Sequence, residues 1–474
     1  MKLIPFKFLL FSAILGLFTS CDWLDTNPTV VSTNPSFVSL SFGKNDSIPN
    51  INKAVFKLVW DGLLNDSIIV NLDSLPYRTR IDSVFPAFKF YSSSAAYLYL
   101  RKTTGSGVDT VLITGKDTID FTRVLRIKNI AADTKTEKPY PIKVNVHQVE
   151  SELYTWKRYV ESIYTQTAST QKAVTRNDSI FFYAGSGINN YLYVNKIGQS
   201  WNESKVTGLP NYSDLNNITQ FNNKFYLIND NIEIYSTSDC FNWKKENIAN
   251  INFKFISFLY TLNGKLWAIT KSNIDQKYRF ANTVDGITWN IGNEIPVNFP
   301  VGDFAALSFY TKNEKEKAIV LGGYSAGGTL LNNVWSTENG TLWVDFTVEN
   351  VTLDSLSGAT IIPYDGKLLL FGGMNMSGKI VKTNYMQSID EGLSWSIPST
   401  TYNQLREVIV SGTSTNYLYY KPRSYQSVLN VVVKNTAKGY SDYFIYLIGG
   451  RDEKAKVYTD VWVGKLNRLS FIQK

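Results

Sequence analysis

A tryptophan that returns at the end of one similar segment after another restricts this chain more than any other feature. Gly198-Gln-Ser-Trp201, Cys240-Phe-Asn-Trp243, Gly286-Ile-Thr-Trp289, Gly340-Thr-Leu-Trp343 and Gly392-Leu-Ser-Trp395 step by 42, 46, 54 and 52 residues. Ahead of each lies a strand pattern such as IEIYST (232–237) or NNVWST (332–337), and ahead of that a second, such as KFYLIND (224–230) or LLLFGG (368–373). One such unit cannot bury its own faces, so a repeat of this length implies stacked or circular neighbours. A sixth unit supplies FIYLIGG (444–450) and TDVWVGKL (459–466) but no closing Trp. That residue is found at the other end, where Trp156 precedes Trp201 by 45 residues, one period. Lending an N-terminal strand to the last unit removes the free edge of a circular array. The expectation is a six-bladed β-propeller over 151–474, closed by a strand around 153–159, with closure by 469–474 as the alternative. Trp156, Trp201, Trp243, Trp289, Trp343 and Trp395 are then repeat residues of the scaffold.

The later units resemble kelch repeats in the pairs Gly322-Gly323, Gly372-Gly373 and Gly449-Gly450, each ahead of a further strand. The first three units depart from that pattern, with Ala184-Gly185, Asn229-Asp230 and Thr270-Lys271 in place of the glycine pair. The turns before the Trp resemble the Asp-box of sialidase-like propellers, in full at Ser388-Ile-Asp390-Glu-Gly392-Leu-Ser-Trp395 and shortened at Asp285-Gly286-Ile-Thr-Trp289. These resemblances imply an architecture; they imply no activity. Asp239, Asp285 and Asp390 recur once per unit at the same place, as turn-setting residues do. A sialidase also needs an arginine cluster to grip a carboxylate. Only seven Arg lie in 151–474, and none stands in that family's arginine motif.

Residues 37–150 alternate apolar and polar side chains in about eight short stretches. The clearest is Tyr140–Val149, with Ile142, Val144 and Val146 on one face and Lys143, Asn145 and His147 on the other. Turn signals such as Gly43-Lys44-Asn45-Asp46 and Gly105-Ser106-Gly107 separate them. The expectation is an immunoglobulin-like β-sandwich, making the whole chain all-β. Its 27 Phe, 29 Tyr and 11 Trp suit pleated, half-buried surfaces.

The N-terminus carries an address. Lys2 and Lys7 precede an apolar run from Phe8 to Phe18, too short for a permanent bilayer span. Residues 1–20 therefore read as a signal peptide. Leu17-Phe18-Thr19-Ser20-Cys21 resembles a bacterial lipobox, which makes Cys21 the lipidated N-terminus of the mature chain. Asp22 and Asp25 beside it resemble the acids of Bacteroidetes lipoproteins exported to the outer leaflet, and the chain as a whole resembles Bacteroidales lipoproteins that join a sandwich to a kelch-like propeller. The resemblance implies outer-membrane attachment, surface-exposed rather than periplasmic, with 21–36 as anchor and tether. With Cys21 acylated only Cys240 remains, so no intrachain disulfide forms.

The charge balance argues against nucleic acid as a partner. The net charge of +8 is spread over both halves, without the basic stripe a nucleic-acid binder concentrates. The single His, His147, lies outside the repeat, which argues against a Ser-His-Asp triad, a Cys-His pair using Cys240, and His-ligated zinc. No cofactor is expected. Calcium held by carboxylates is the one metal chemistry the loops would suit. One place breaks the period: Gly373 to Gly450 spans 77 residues where the preceding glycine pairs are 50 apart. The excess, 398–425, holds Tyr402, Arg406, Tyr420, Arg423 and Tyr425, side chains suited to stacking on sugar or anchoring a protein. The expected function is non-enzymatic: a surface lipoprotein whose propeller binds a glycan or protein partner. The alternative is a carbohydrate-active enzyme, a sugar mutarotase or carboxylate-dependent hydrolase, working in the propeller's funnel.

Overall fold

A computed structural model describes residues 30–48, 51–148, 150, 152–229, 233–248, 252–346, 353–399, 404–411, 414–435 and 440–467. Among these the only helical turns are Ile51–Lys53 and Leu215–Asn217; the rest is strand and loop. The chain divides into two compact units, Met1–Glu150 and Ser151–Lys474.

In the first unit Phe37–Phe42 pairs with Pro86–Phe90 in a small sheet. Facing it is a six-stranded sheet in the order Phe56–Asp61, Asp66–Asn71, Glu137–Lys143, Val124–Ile130, Ala95–Arg101, Val108–Leu112. Period-2 alternation sends Leu98, Leu100, Ile127, Tyr140 and Ile142 inward against Leu40 and Phe42, giving one sandwich core. Phe42 sits edge-on to both Phe56 and Phe121, at 4.8 Å centroid separations. The split of two and six strands, and the parallel pairing of Ile69 with Ile142, differ from the four-and-three antiparallel split of immunoglobulin domains. The clearest stretch in the sequence stops at Lys143 because buried Asn71 takes over the ladder. Its amide oxygen accepts from Asn145 N (2.6 Å) and its amide nitrogen donates to Asn145 O (2.9 Å).

The second unit is a six-bladed propeller. Its inner strands are Thr170–Arg176, Thr219–Phe221, Phe253–Leu262, Ala305–Tyr310, Thr360–Tyr364 and Ser427–Asn435, opening blades 1 to 6. The second strands (FFYA, FYLI, LWAI, AIVL, LLLF) are almost continuously buried, since neighbouring blades cover both faces. Blade 5 has three strands, with a single bridge, Gln387 to Ser396, where a fourth would run. Blade 6 takes its fourth strand from the N-terminal side: Tyr154–Val160 pairs antiparallel with Val461–Leu466, placing Trp156 opposite Gly464. The alternative closing segment, 469–474, lies outside the described residues.

All six repeat tryptophans fill seams between blades. Trp156 packs against Phe371 of blade 5, Trp243 against Tyr183 of blade 1, and Trp343 stacks on Phe280 of blade 3. Trp201, Trp289 and Trp395 join the clusters that link blades 6 and 1, 2 and 3, and 4 and 5. The glycine pairs do the same job at the main chain. Gly372 has φ 65, and a Cβ there would lie 1.9 Å from Arg423 O as the chain enters blade 6. At the seam where the ring closes, the Gln171 side chain stands in for that carbonyl, accepting from Gly450 N at 2.9 Å.

Candidate functional site

The inner strands all begin on one face, where their first residues converge on a cavity of about 570 Å³ lined by every blade. Lys172 reaches it from blade 1, Asp214 and Asn216 from the turn into blade 2, Phe258 from blade 3, Asp303 from blade 4 and Tyr425 from blade 6. A second, separate cavity of about 150 Å³ lies alongside between blades 1 and 2, shares Asp214 and is edged by Tyr212.

Blades 4, 5 and 6 build their side of the rim in the same way. The residue two before each inner strand is left-handed: Asp303 (φ 54), Gly358 (φ 63) and Tyr425 (φ 54). This turn lets Gly358 N donate to Asp303 O (2.9 Å) and Tyr425 N donate to Gly358 O (2.7 Å), a main-chain belt across three blades. A positive φ is strained for a bulky residue such as Tyr, and such strain gathers where a side chain must be aimed. Tyr425 carries the Arg451 guanidinium 4.0 Å from its ring centroid.

Groups in this funnel meet water yet stand between protein walls that remove part of their hydration. Burial pushes the Asp303 carboxyl up, against a hydrogen bond from Tyr425, and the nearby Asp214 adds to the rise. Burial also raises the Tyr425 phenol, reinforced by Asp303. The Lys172 ammonium is pushed down by burial, with Asp214 opposing. Its one hydrogen bond goes to Asn216 O at 3.3 Å, and among the described residues no carboxylate stands at ion-pair distance. Asp214 uses one oxygen to accept from Asn216 N (3.1 Å) and Asn216 Nδ2 (2.8 Å). The funnel thus offers an under-bonded cation, two carboxyl groups of which one leans toward its neutral form, and a phenol.

Of the five side chains named in the 398–425 insertion, the four described ones do not gather there. Tyr402 and, further upstream, Cys21 lie outside the described residues. Arg406 stands on an exposed hairpin, Arg406–Ser411 with Ser414–Tyr419, 4.0 Å over the Tyr417 ring. Tyr420 and Arg423 correct the sequence expectation, because both are buried structural groups, 4% and 2% exposed. Arg423 is held by Asp460 (2.5 Å), donates to Gly449 O (3.1 Å) and Lys421 O (2.9 Å), and lies between the Tyr420 and Tyr458 rings. A cation so fully bonded inside the protein has nothing left to offer a ligand. Among the four described, only Tyr425 lines the cavity.

Lys172, Asp214, Asp303 and Arg451 were not singled out from sequence. Asp303 had a signal, being in register with Gly358 and Tyr425 ahead of comparable strands. Lys172 had a fainter one, as a lysine inside the buried run QKAV.

The turn aspartates lie at the opposite face, since each blade's third strand runs away from the funnel rim before the turn. Asp285 Oδ1 accepts from Ile287 N (2.8 Å) and Thr288 N (2.7 Å), and these bonds hold its carboxyl well below the usual range. Asn339 does the same for Thr341 N and Leu342 N, both at 2.9 Å. An amide serving equally well marks the role as turn-setting. Cys240, at φ 70 in the turn position held elsewhere by glycine, is fully buried, and burial pushes its thiol up to about 11. A thiol so protonated is a poor nucleophile. Among the described residues no group of three or more His, Cys, Asp or Glu is placed to hold a metal ion.

No curated protein matches the chain. The solved structure of YjhT is 13% identical, with a TM-score of 0.41 over 62% of this chain and 93% of that one. YCF48 bound to D1 peptide is 12% identical, with a TM-score of 0.31 over 83% of this chain and 98% of that one. Residues 49–144 match the DUF6242 N-terminal domain, a domain of unknown function. Residues 150–474 match the DUF6242 beta propeller domain, an architecture suited to binding or scaffolding. That match spans more than half of the sequence and coincides with the six blades, and the chain belongs to the DUF6242 family.

Proposed function

We propose that this chain is a lipid-anchored outer-membrane protein, displayed on the cell surface, whose propeller binds a glycan end in the funnel. The observation that carries the binding site is the convergence of Lys172, Asp214, Asp303 and Tyr425 from four blades on one cavity. Its volume falls in the range of small-ligand sites, and the Lys172 ammonium spends a single hydrogen bond, to Asn216 O, within the described fold. Mixed donors and acceptors beside an aromatic ring suit a polyhydroxylated ligand, and the neighbouring hollow at Tyr212 suits one with more than a single unit. The anchor reading is supported by the lipobox-like segment ending at Cys21 and by Asp22 and Asp25. The glycine pairs and Asp turns support kinship with kelch-like and Asp-box propellers.

The test is a thermal-shift screen of residues 22–474 against host and dietary glycans, repeated with Lys172→Met and Asp303→Asn. A ligand-dependent rise that both variants lose while remaining folded supports the site. A flat response on folded protein redirects the reading to a protein partner, sought by pull-down from outer membranes. For the anchor, Cys21→Ala releases the protein from the membrane fraction; unchanged fractionation refutes lipidation.

A second reading is favoured by one observation, that two carboxyl groups, Asp214 and Asp303, line the same cavity, where burial pushes the Asp303 carboxyl up. Glycoside hydrolysis uses two carboxyl groups of divergent acidity, one as acid and one as base or nucleophile. On this reading Asp303 is the acid and Asp214 its partner. Hydrolysis of a glycan that binds, abolished by Asp214→Asn, distinguishes it from binding alone.

A further inference from the structure

We infer that the turn Asp61–Asp66 of the first unit is a lipid-contacting tip that seats the sandwich on the membrane carrying the anchor. The inference rests on the lipid-anchored reading above. The turn joins Phe56–Asp61 to Asp66–Asn71 and presents Trp60, Leu63 and Leu64, which are 62%, 99% and 54% exposed. Asp61 Oδ1 accepts from Leu63 N (2.9 Å) and Leu64 N (3.3 Å), so the turn is preset with both leucines outward. Polar residues normally occupy such tips; a Trp with two leucines on a braced turn forms an apolar point of the kind found where a protein meets lipid.

Strand directions place this tip at the end where the tether enters. Asn129 Nδ2 donates to Pro35 O (3.1 Å), fixing the incoming chain beside the end of Val124–Ile130. At that level Ile130 pairs with Ala95 and with Glu137, the first residue of Glu137–Lys143. Asp66–Asn71 runs parallel to Glu137–Lys143, with Ile69 opposite Ile142, so its start and the turn before it lie at the same end. The chain from Cys21 to Asn34 spans at most about 45 Å when extended. A lipid at Cys21 therefore holds the bilayer within that reach of the end that carries the tip. The occupant of the tip is the surface of that bilayer.

The experiment uses the full acylated chain with Leu63→Cys bearing a nitrobenzoxadiazole probe, reconstituted in phosphatidylethanolamine–phosphatidylglycerol vesicles. Cys240 is buried and does not take the label. The expected result is blue-shifted emission quenched by brominated acyl chains. The same probe at Leu72, 55% exposed at the far end of Asp66–Asn71, keeps its emission in water. Vesicle binding of the non-acylated Cys21→Ala chain falls at least tenfold with Leu63→Asp/Leu64→Asp, since each buried leucine is worth roughly that factor. Water-like emission at position 63 on protein that floats with the vesicles overturns the tip while leaving the anchor intact. Failure of the unsubstituted protein to float overturns both.

Discussion

The pairing of Trp156 with Gly464 makes ring closure measurable as a double-mutant cycle. Trp156 is 3% exposed, wedged between Tyr154, Phe371 and the bare backbone of Gly464. A buried aromatic side chain removes about 150–250 Å² from water, worth roughly 4–6 kcal/mol at 25 cal/mol per Å², of which Ala keeps a small part. Trp156→Ala therefore costs about 3–5 kcal/mol, in line with other core Trp truncations. In a unit of this size that lowers Tm by about 4–7 °C. Gly464→Ala would set its Cβ 2.4 Å from the indole, and Phe371 and Tyr154 leave the ring no easy retreat. Its cost in the native background is about 1–3 kcal/mol. In the Trp156→Ala background the same methyl enters vacated space, and its cost falls to within about 0.5 kcal/mol of zero. Urea denaturation of the four proteins reads the coupling directly. Additive costs, or a Trp156→Ala penalty under about 0.5 kcal/mol as for an ordinary surface site, would show that this strand does not close the ring.

Three other outcomes follow from the same geometry. Gly340→Ala, at φ 77 with Cβ 2.2 Å from the Trp267 ring, destabilises by about 2–4 kcal/mol. Gly366→Ala, at φ 69 in open space, costs only the backbone strain of about 1 kcal/mol, and equal melting shifts for the two contradict the seam. Asp285→Asn is nearly neutral at pH 7, because Asn339 already does this job in blade 4, whereas Asp285→Ala loses about 1–2 kcal/mol. Since the folded Asp285 carboxyl lies below its unfolded value, its stabilisation is complete above about pH 4 and fades as pH falls further. Asp285→Asn removes that part of the acid sensitivity, and unchanged pH curves count against it. Lys172→Met leaves Tm unchanged or raises it, the gain reaching about 1–2 kcal/mol, because a partly desolvated ammonium with one hydrogen bond disfavours the fold. A marked loss of stability would mean that the lysine is structural.

The propeller was legible because its second strands and tryptophans are dictated by one repeated environment, a seam between blades. Each seam demands the same apolar run and the same ring, so the period shows through weak sequence similarity. Trp156 was readable for the same reason, as the one Trp standing a period before Trp201. The funnel was not legible, since it is made by inner strands as short as Thr219–Phe221 and by the loops before them. There each blade contributes a different side chain, and no period exists to find. The insertion misled for a related reason. Tyr and Arg serve a ligand or a seam equally well, and Tyr420 and Arg423 close the gap around blade 6. Composition alone cannot distinguish a guanidinium that meets Asp460 from one that meets a sugar.

The funnel's asymmetry follows from the same division of the sequence. Blades 4 to 6 carry the glycine pairs, and their rim is tied by main-chain bonds from Asp303 O through Gly358 to Tyr425 N. That half holds Asp303 and Tyr425 on strained, over-determined backbone, where a side chain has few alternative positions. Blades 1 to 3 lack the pairs, and there the rim is the long Lys172 side chain, the exposed turn at Asp214 and the neighbouring hollow at Tyr212. A ligand entering this funnel meets a preorganised acid and phenol on one side and an adjustable cation on the other. Preorganised groups set which chemistry is recognised, because their ordering cost is met during folding. Adjustable ones tolerate variation in what extends beyond it. On the proposed glycan-binding reading, specificity resides in Asp303 and Tyr425, and tolerance in Lys172.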